Sequence, residues 1–180
     1  WARVRTALVA ARPGHRDPAY GRAEIDRTEG GSPDALVLEE GLNRLWRVAA
    51  AKRAPFSLLL IQVDRFADYL TAYGSAEGES CMAVLSRIIE AALPGGADLC
   101  VPFERNGFAV ILPGLPKADA RALAMRISAG LRQQNLPHKE SHAGVVTACM
   151  GLATTLPGGA YDKQFFDFAA QTLRQAQRRG

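Results

Sequence analysis

The sequence predicts an α/β chain of the α+β kind, with one central antiparallel sheet flanked by helices. Three observations predict it. The run "PFSLLLIQVD" is apolar on both faces between Pro55 and Asp64, as a strand covered on both sides must be. Asn106-Gly107 stands between two further apolar runs, a strong hairpin signal, because both residues tolerate φ > 0 in a tight two-residue turn. Segments of helical period lie before, between and after these strands.

Taken in order, "WARVRTALVAA" places Trp1, Val4 and Leu8 on one helical face, and Pro13-Gly14 stops it. Residues 13–34 are rich in Pro, Gly and charge and form a linker or irregular loop, with room for a short hairpin around "AYGRAEIDRTEGG". Residues 1–33 are thus expected to be the end of a helix and a linker, and 34–180 the folded domain. A helix follows with Leu38, Leu42, Leu45 and Trp46 on one side, capped by Asp34. After the central strand come a short helical piece broken at Gly74 and a second helix carrying Met82, Leu85, Ile88, Ile89 and Ala92. "LCVPFE" and "FAVILP" form the hairpin. "KADARALAMRISAGLRQQ" is helical, with Ala120, Leu123, Ala124, Ile127 and Leu131 inward. "AGVVTACMGLATT" is a strand, and a final helix aligns Phe165, Phe168, Ala169, Leu173 and Ala176. The order β-α-α-β-β-α-β plus a terminal helix contains the ferredoxin-like β-α-β-β-α-β core.

Composition narrows the function classes. Hydrophobic residues make up 48% of the 180, enough for a full core, so wholesale disorder is excluded. The net charge of +4 is spread out, no Lys/Arg run reaches the length of a nucleic-acid patch, and the strand segments offer few aromatics for base stacking, so no nucleic-acid partner is expected. Cys81, Cys100 and Cys149 are far apart and lie in apolar segments, which favours buried, reduced thiols over a disulfide framework or a zinc site. The apolar runs are too short to span a bilayer.

Five stretches carry a family resemblance. They are "LLLIQVDRF", "AYGSAEGE", "ERNGFAVILPG", "VTACMGLAT" and "AAQTLRQAQRRG", in that order and at natural spacing. From about Asp34 to Gly180 the chain resembles the GGDEF domain, the bacterial diguanylate cyclase domain that condenses two GTP into cyclic di-GMP. The resemblance implies the ferredoxin-like core of the nucleotidyl cyclase type. It also locates the chemistry. The family's metal would be held by the first Asp of Asp-x-Asp and an acid in the signature turn, and its signature Gly-Gly-Asp-Glu-Phe falls on Glu104, Arg105, Asn106, Gly107 and Phe108.

On those positions this chain departs from the pattern. Gln62 stands for the first metal Asp, and an amide oxygen without formal charge is a poor magnesium ligand. Asn106 and Gly107 replace both signature acids, and only Phe108 matches. Leu70 stands for the guanine-reading Asn, and Gln177 for the phosphate-binding Lys. In the product-inhibition motif Arg-x-x-Asp, Asp98 remains but Gly95 replaces the arginine, so bidentate recognition is lost and no cyclic di-GMP is expected there. The early motif is eroded to "DALVLEE". Asp64, Phe66 and Glu79 survive as candidate nucleotide-binding residues, although Asp64 also suits a structural cap and Phe66 a core position.

The expectation is a catalytically inactive GGDEF-like regulatory or protein-interaction domain of a bacterial cyclic di-GMP signalling protein, with no retained catalytic residue, no metal site and no cofactor. Its partners would be neighbouring domains of the same chain or a signalling protein, with homodimerisation and GTP binding open. Its place would be cytoplasmic, including as the cytosolic part of a membrane-anchored protein. Two alternatives stand beside it. One is a divergent active diguanylate or nucleotidyl cyclase that uses Mg with Asp64, Glu79 and Glu104. The other is a GTP-sensing domain that binds without hydrolysis.

Overall fold

The computed structural model describes the backbone course of residues 4–8 and, with side chains, residues 32–95 and 98–178. Its elements are β1 (Val4–Leu8), α1 (Pro33–Ala51), β2 (Phe56–Val63), α2 (Phe66–Tyr73), α3 (Ser75–Ala92), β3 (Leu99–Phe103), β4 (Gly107–Pro113), α4 (Lys117–Gln133), β5 (Ala148–Thr155) and α5 (Gln164–Arg178). They build one five-stranded sheet in the order β1-β5-β2-β4-β3. Strands β5, β2, β4 and β3 are antiparallel to their neighbours, and β1 joins β5 in parallel. The four antiparallel strands are the expected core.

Strand alternation divides the interior in two. On one face Leu59, Ile61 and Val63 of β2, Val110 and Leu112 of β4, and Met150 and Leu152 of β5 meet α2, α3 and α4 through Tyr69, Leu85, Ile89, Leu123 and Ile127. On the other face Phe56, Leu58 and Leu60, with Ala109, Ile111 and Ala153, meet α1 and α5 through Leu42, Leu45, Trp46, Phe165 and Leu173. β2 is buried along its whole length, which is why its sequence shows no polar face. The Trp46 ring lies edge-on to Phe56 and Phe165 at 5.3 and 5.4 Å, joining α1, the sheet and α5. Each such large side chain removed from water contributes about 1.5–3 kcal/mol.

Two local expectations are corrected. Asp34 does not cap α1. Ser32 does, its hydroxyl accepting from the Ala35 N–H at 3.3 Å, with Pro33 opening the helix and Asp34 inside the first turn. The segment expected to end a helix at Val4 and Leu8 is the strand β1 instead. In sequence Val4, Thr6 and Leu8 alternate with Arg5 and Ala7, a two-residue period, and β5 has a ladder to share. Trp1 and the possible hairpin around "AYGRAEIDRTEGG" lie outside the described residues.

At the opposite margin, β3 carries Pro102, a residue tolerated in a sheet at an edge strand because it has no N–H to pair. Among the described residues no helix is long and apolar enough to cross a membrane.

Candidate functional site

The β3–β4 hairpin places the signature turn at the end of the central strands. Phe103 pairs with Gly107 and Pro102 with Phe108, so Glu104, Arg105 and Asn106 form a three-residue loop. The expected two-residue Asn-Gly turn is therefore corrected. The left-handed residue is Glu104, at φ 54°, and Gly107 already belongs to β4. Gly107 has a different reason to be glycine. A Cβ there would lie 1.9 Å from the Ile61 carbonyl oxygen, so the β2 main chain occupies the space of any side chain. Asn106 ties the loop to β2. Its carbonyl accepts from Val63 N–H at 2.8 Å, and its Nδ2 donates to the Val63 carbonyl at 3.2 Å.

Beside this turn three polar side chains from three elements meet. Gln62, near the end of β2, is only 5% exposed. Its Nε2 donates to Glu104 Oε2, and its Oε1 accepts from Gln177 Nε2 at 2.6 Å. The buried amide thus has a partner at each end. An unpartnered one would cost about 1–3 kcal/mol. The sequence marked Gln62 and Gln177 separately as substitutions; the structure joins them, through Glu104, into one chain.

Of the surviving residues, Asp64 lies in the β2–α2 loop, Phe66 opens α2 and Glu79 lies on α3. Asp64 Oδ2 accepts from the Thr147 hydroxyl at 2.7 Å, and the Asp64 N–H donates to the Thr147 carbonyl at 2.8 Å, so this carboxylate fastens the loop to the chain entering β5. Asp64 does not cap α2, whose N-cap is Arg65, left-handed at φ 51°. Arg65 pairs through Nε with Asp68 at 2.8 Å and donates through Nη1 to the Glu140 carbonyl. Phe66 is buried and stacks on Tyr69 at 6.2 Å. Glu79 is exposed on α3. Leu70 packs towards Gly78, where a Cβ would meet its Cδ2 at 2.2 Å.

Sequence reasoning missed His138. It is fully buried, its Nε2 lies 3.3 Å from the Arg65 carbonyl, its ring meets Tyr69 edge-on at 5.2 Å, and its Nδ1 has no partner. A lone histidine beside a Pro gives no local signal of such a role. Just before β3, Asp98 Oδ2 is also buried without a partner, and burial raises its carboxyl above the usual range, partly offset by a hydrogen bond from the Gly95 backbone. Among the described residues no group of three or more His, Cys, Asp or Glu is placed to hold a metal ion.

Comparison with known proteins agrees with this architecture. The family model described as "Diguanylate cyclase, GGDEF domain" matches residues 33–180. The probable diguanylate cyclase DgcC of Escherichia coli K12 is 26% identical over 124 residues, which are 69% of this chain and 33% of DgcC, so the chain spans about a third of that relative's length. Among solved structures, the GGDEF domain of TpbB (YfiN) from Pseudomonas aeruginosa is 25% identical with a TM-score of 0.68, over 81% of this chain and 84% of that one. The GGDEF domain of Caulobacter crescentus DgcB, in complex with c-di-GMP, is 18% identical with a TM-score of 0.70, over 81% and 85%. At that identity the likeness is one of fold. With the family model covering most of its length, the chain belongs to the GGDEF domain family of cyclic di-GMP signalling.

Proposed function

We propose that this GGDEF domain is catalytically inactive and serves as a regulatory or protein-interaction module in cyclic di-GMP signalling. The observation that carries the reading is the Gln62 amide held between Glu104 and Gln177. Two neutral amides stand where the resembling enzymes keep a metal carboxylate and a phosphate-binding lysine, and they use their hydrogen-bonding capacity on each other.

The magnesium ion that the family implies does not fit these residues. A hard divalent cation needs charged oxygen ligands beside the phosphates. Gln62 carries none, and Gly107 has no room for a side chain of any kind. Glu104 is a carboxylate, but it lies in the loop and accepts from Gln62. Asp64 is engaged by Thr147. No step through a metal is therefore derived, and Leu70 offers no hydrogen bond to a base edge.

A module of this kind acts through contacts with neighbouring domains or a partner protein. The P. aeruginosa diguanylate cyclase SiaD, 22% identical to this chain, is known in complex with its activator SiaC. Contact with a protein partner is the mode proposed here.

The test is turnover. The purified domain is incubated with GTP and Mg²⁺ or Mn²⁺, and the products are separated by chromatography. No cyclic di-GMP above the blank is expected. Product that disappears in Glu104→Ala would overturn the proposal and establish a shifted active site. Calorimetry with GTP, run in parallel, distinguishes a silent domain from one that senses the nucleotide.

A further inference from the structure

The strand Val4–Leu8 lies outside the residues that the family model matches, 33–180, yet it completes the sheet. It pairs in parallel along β5, from Val4↔Met150 to Leu8↔Thr154. Both α4 and α5 pass close to it, and because these helices cover opposite faces of the sheet, the strand lies in a slot with the β5 backbone as its floor and a helix on each side.

Two features make this slot matter to α5. The first is Gly151, which pairs with Arg5. A Cβ on Gly151 would lie 2.4 Å from the Ala169 carbonyl oxygen and 2.5 Å from the Leu173 nitrogen, so the α5 main chain rests directly on β5 there. β1 widens the sheet at the register where α5 touches it most closely. The second is Gln177 near the end of α5, which is hydrogen-bonded to Gln62 in the sheet. Without β1, α5 would overhang an open edge whose backbone groups have lost a ladder.

We propose that Val4–Leu8 is a latch strand. Seated on β5, it holds α5 against the sheet and Gln177 on Gln62. Released, it loosens β5 and α5 while the β2-β4-β3 part stays folded. The occupant is this chain's own segment, linked to α1 through residues 9–32. The slot would work in an active cyclase as in an inactive one, and its test does not read turnover.

The test uses the full chain in two forms. In the first, Arg5→Pro and Thr6→Pro are combined, so that adjacent residues of either pairing parity lose their N–H. Hydrogen exchange is followed by mass spectrometry. Amides of β5 and α5 are expected to exchange at least about tenfold faster, with β3 and β4 unchanged within about twofold. Unchanged exchange in β5 and α5 would overturn the proposal, and so would collapse of protection throughout, because the matched region is expected to stay folded. In the second, Ala7→Cys is combined with Ala153→Cys, register partners in adjacent strands. Mild oxidation is expected to give an intrachain disulfide between these positions, mapped on the linked peptide, in a monomer. A link formed only between chains, or none, would overturn it. Ala7→Cys alone controls for reaction with native cysteines.

Discussion

Gly107→Ala probes the close approach of β4 to β2 beside the signature turn, which leaves no room for a side chain there. The added Cβ would lie 1.9 Å from the Ile61 carbonyl oxygen, 3.0 Å from the Ile61 carbonyl carbon and 2.9 Å from Gln62 Cγ. Carbon–oxygen contacts open at about 3.3 Å, so β4 and β2 must part by about 1.4 Å or the hairpin must leave its path. Both strands are buried and paired on both sides, and neither can yield cheaply. Overpacking a tight site costs about 1–3 kcal/mol, and a collision with main chain belongs at the upper end. Alanine also restricts the unfolded chain, which offsets somewhat under 1 kcal/mol. The net expectation is a loss of about 2–3 kcal/mol, which for a domain of this size lowers the melting temperature by roughly 4–12 °C. Thermal and urea unfolding of the variant against the parent measures it. Gly158→Ala is the control, because nothing lies within 4 Å of that added Cβ, and it should stay within about 0.5 kcal/mol. If Gly107→Ala melted within about 2 °C of the parent, the reasoning would fail, and a glutamate could be restored at this position after all.

Other outcomes follow from the same structure. Gln177→Ala strips the buried Gln62 Oε1 of its donor and should cost about 1–2 kcal/mol in urea unfolding. Burial pushes the thiols of Cys81 and Cys100 up to about 11, the latter also through Glu90, so at pH 8 native protein should alkylate at these sites at least about a hundredfold more slowly than unfolded chain. Their ordinary value is 9.0, so the folded state favours the neutral thiol, and stability should fall as pH climbs from about 9 towards 11. Asp98 has its folded pKa raised by burial, so its ionised form opposes folding. Asp98→Asn should therefore melt higher than the parent at pH 7, and the difference should vanish as pH falls below about 4, where both states bind the proton.

Much of the fold was legible because burial writes itself into local pattern. The run Phe56–Val63, apolar but for Ser57 and Gln62, marked the central strand, and Ala120, Leu123, Ala124, Ile127 and Leu131 marked the inward face of α4, all five of them buried. Boundaries set by a single side chain were less so. Asp34 and Ser32 are both good caps, and only the path of the chain decided for Ser32. The Asn-Gly pair located the hairpin correctly for the wrong reason. Gly107 answers to the neighbouring strand, and the left-handed position fell on Glu104, which no propensity favours. The Val4–Leu8 stretch satisfied a helical face by spacing and a strand by alternation, and a ladder on β5 that local sequence does not contain decided between them. The candidate site was legible residue by residue and illegible as an arrangement. Gln62 and Gln177 are separated by most of the domain, so their hydrogen bond exists only once α5 lies on the sheet.

The two margins of the sheet have a consequence for how copies of this domain meet. Growth of one sheet into another needs an open row of main-chain donors and acceptors. On one side Pro102 interrupts that row, and on the other Val4–Leu8 covers β5 and is itself the outermost strand of the sheet. Stacking into ribbons is thus discouraged at the β3 margin, where the proline leaves a gap in the ladder. A contact made through helices would find apolar side chains on α1, where Leu36, Val37 and Val48 are exposed.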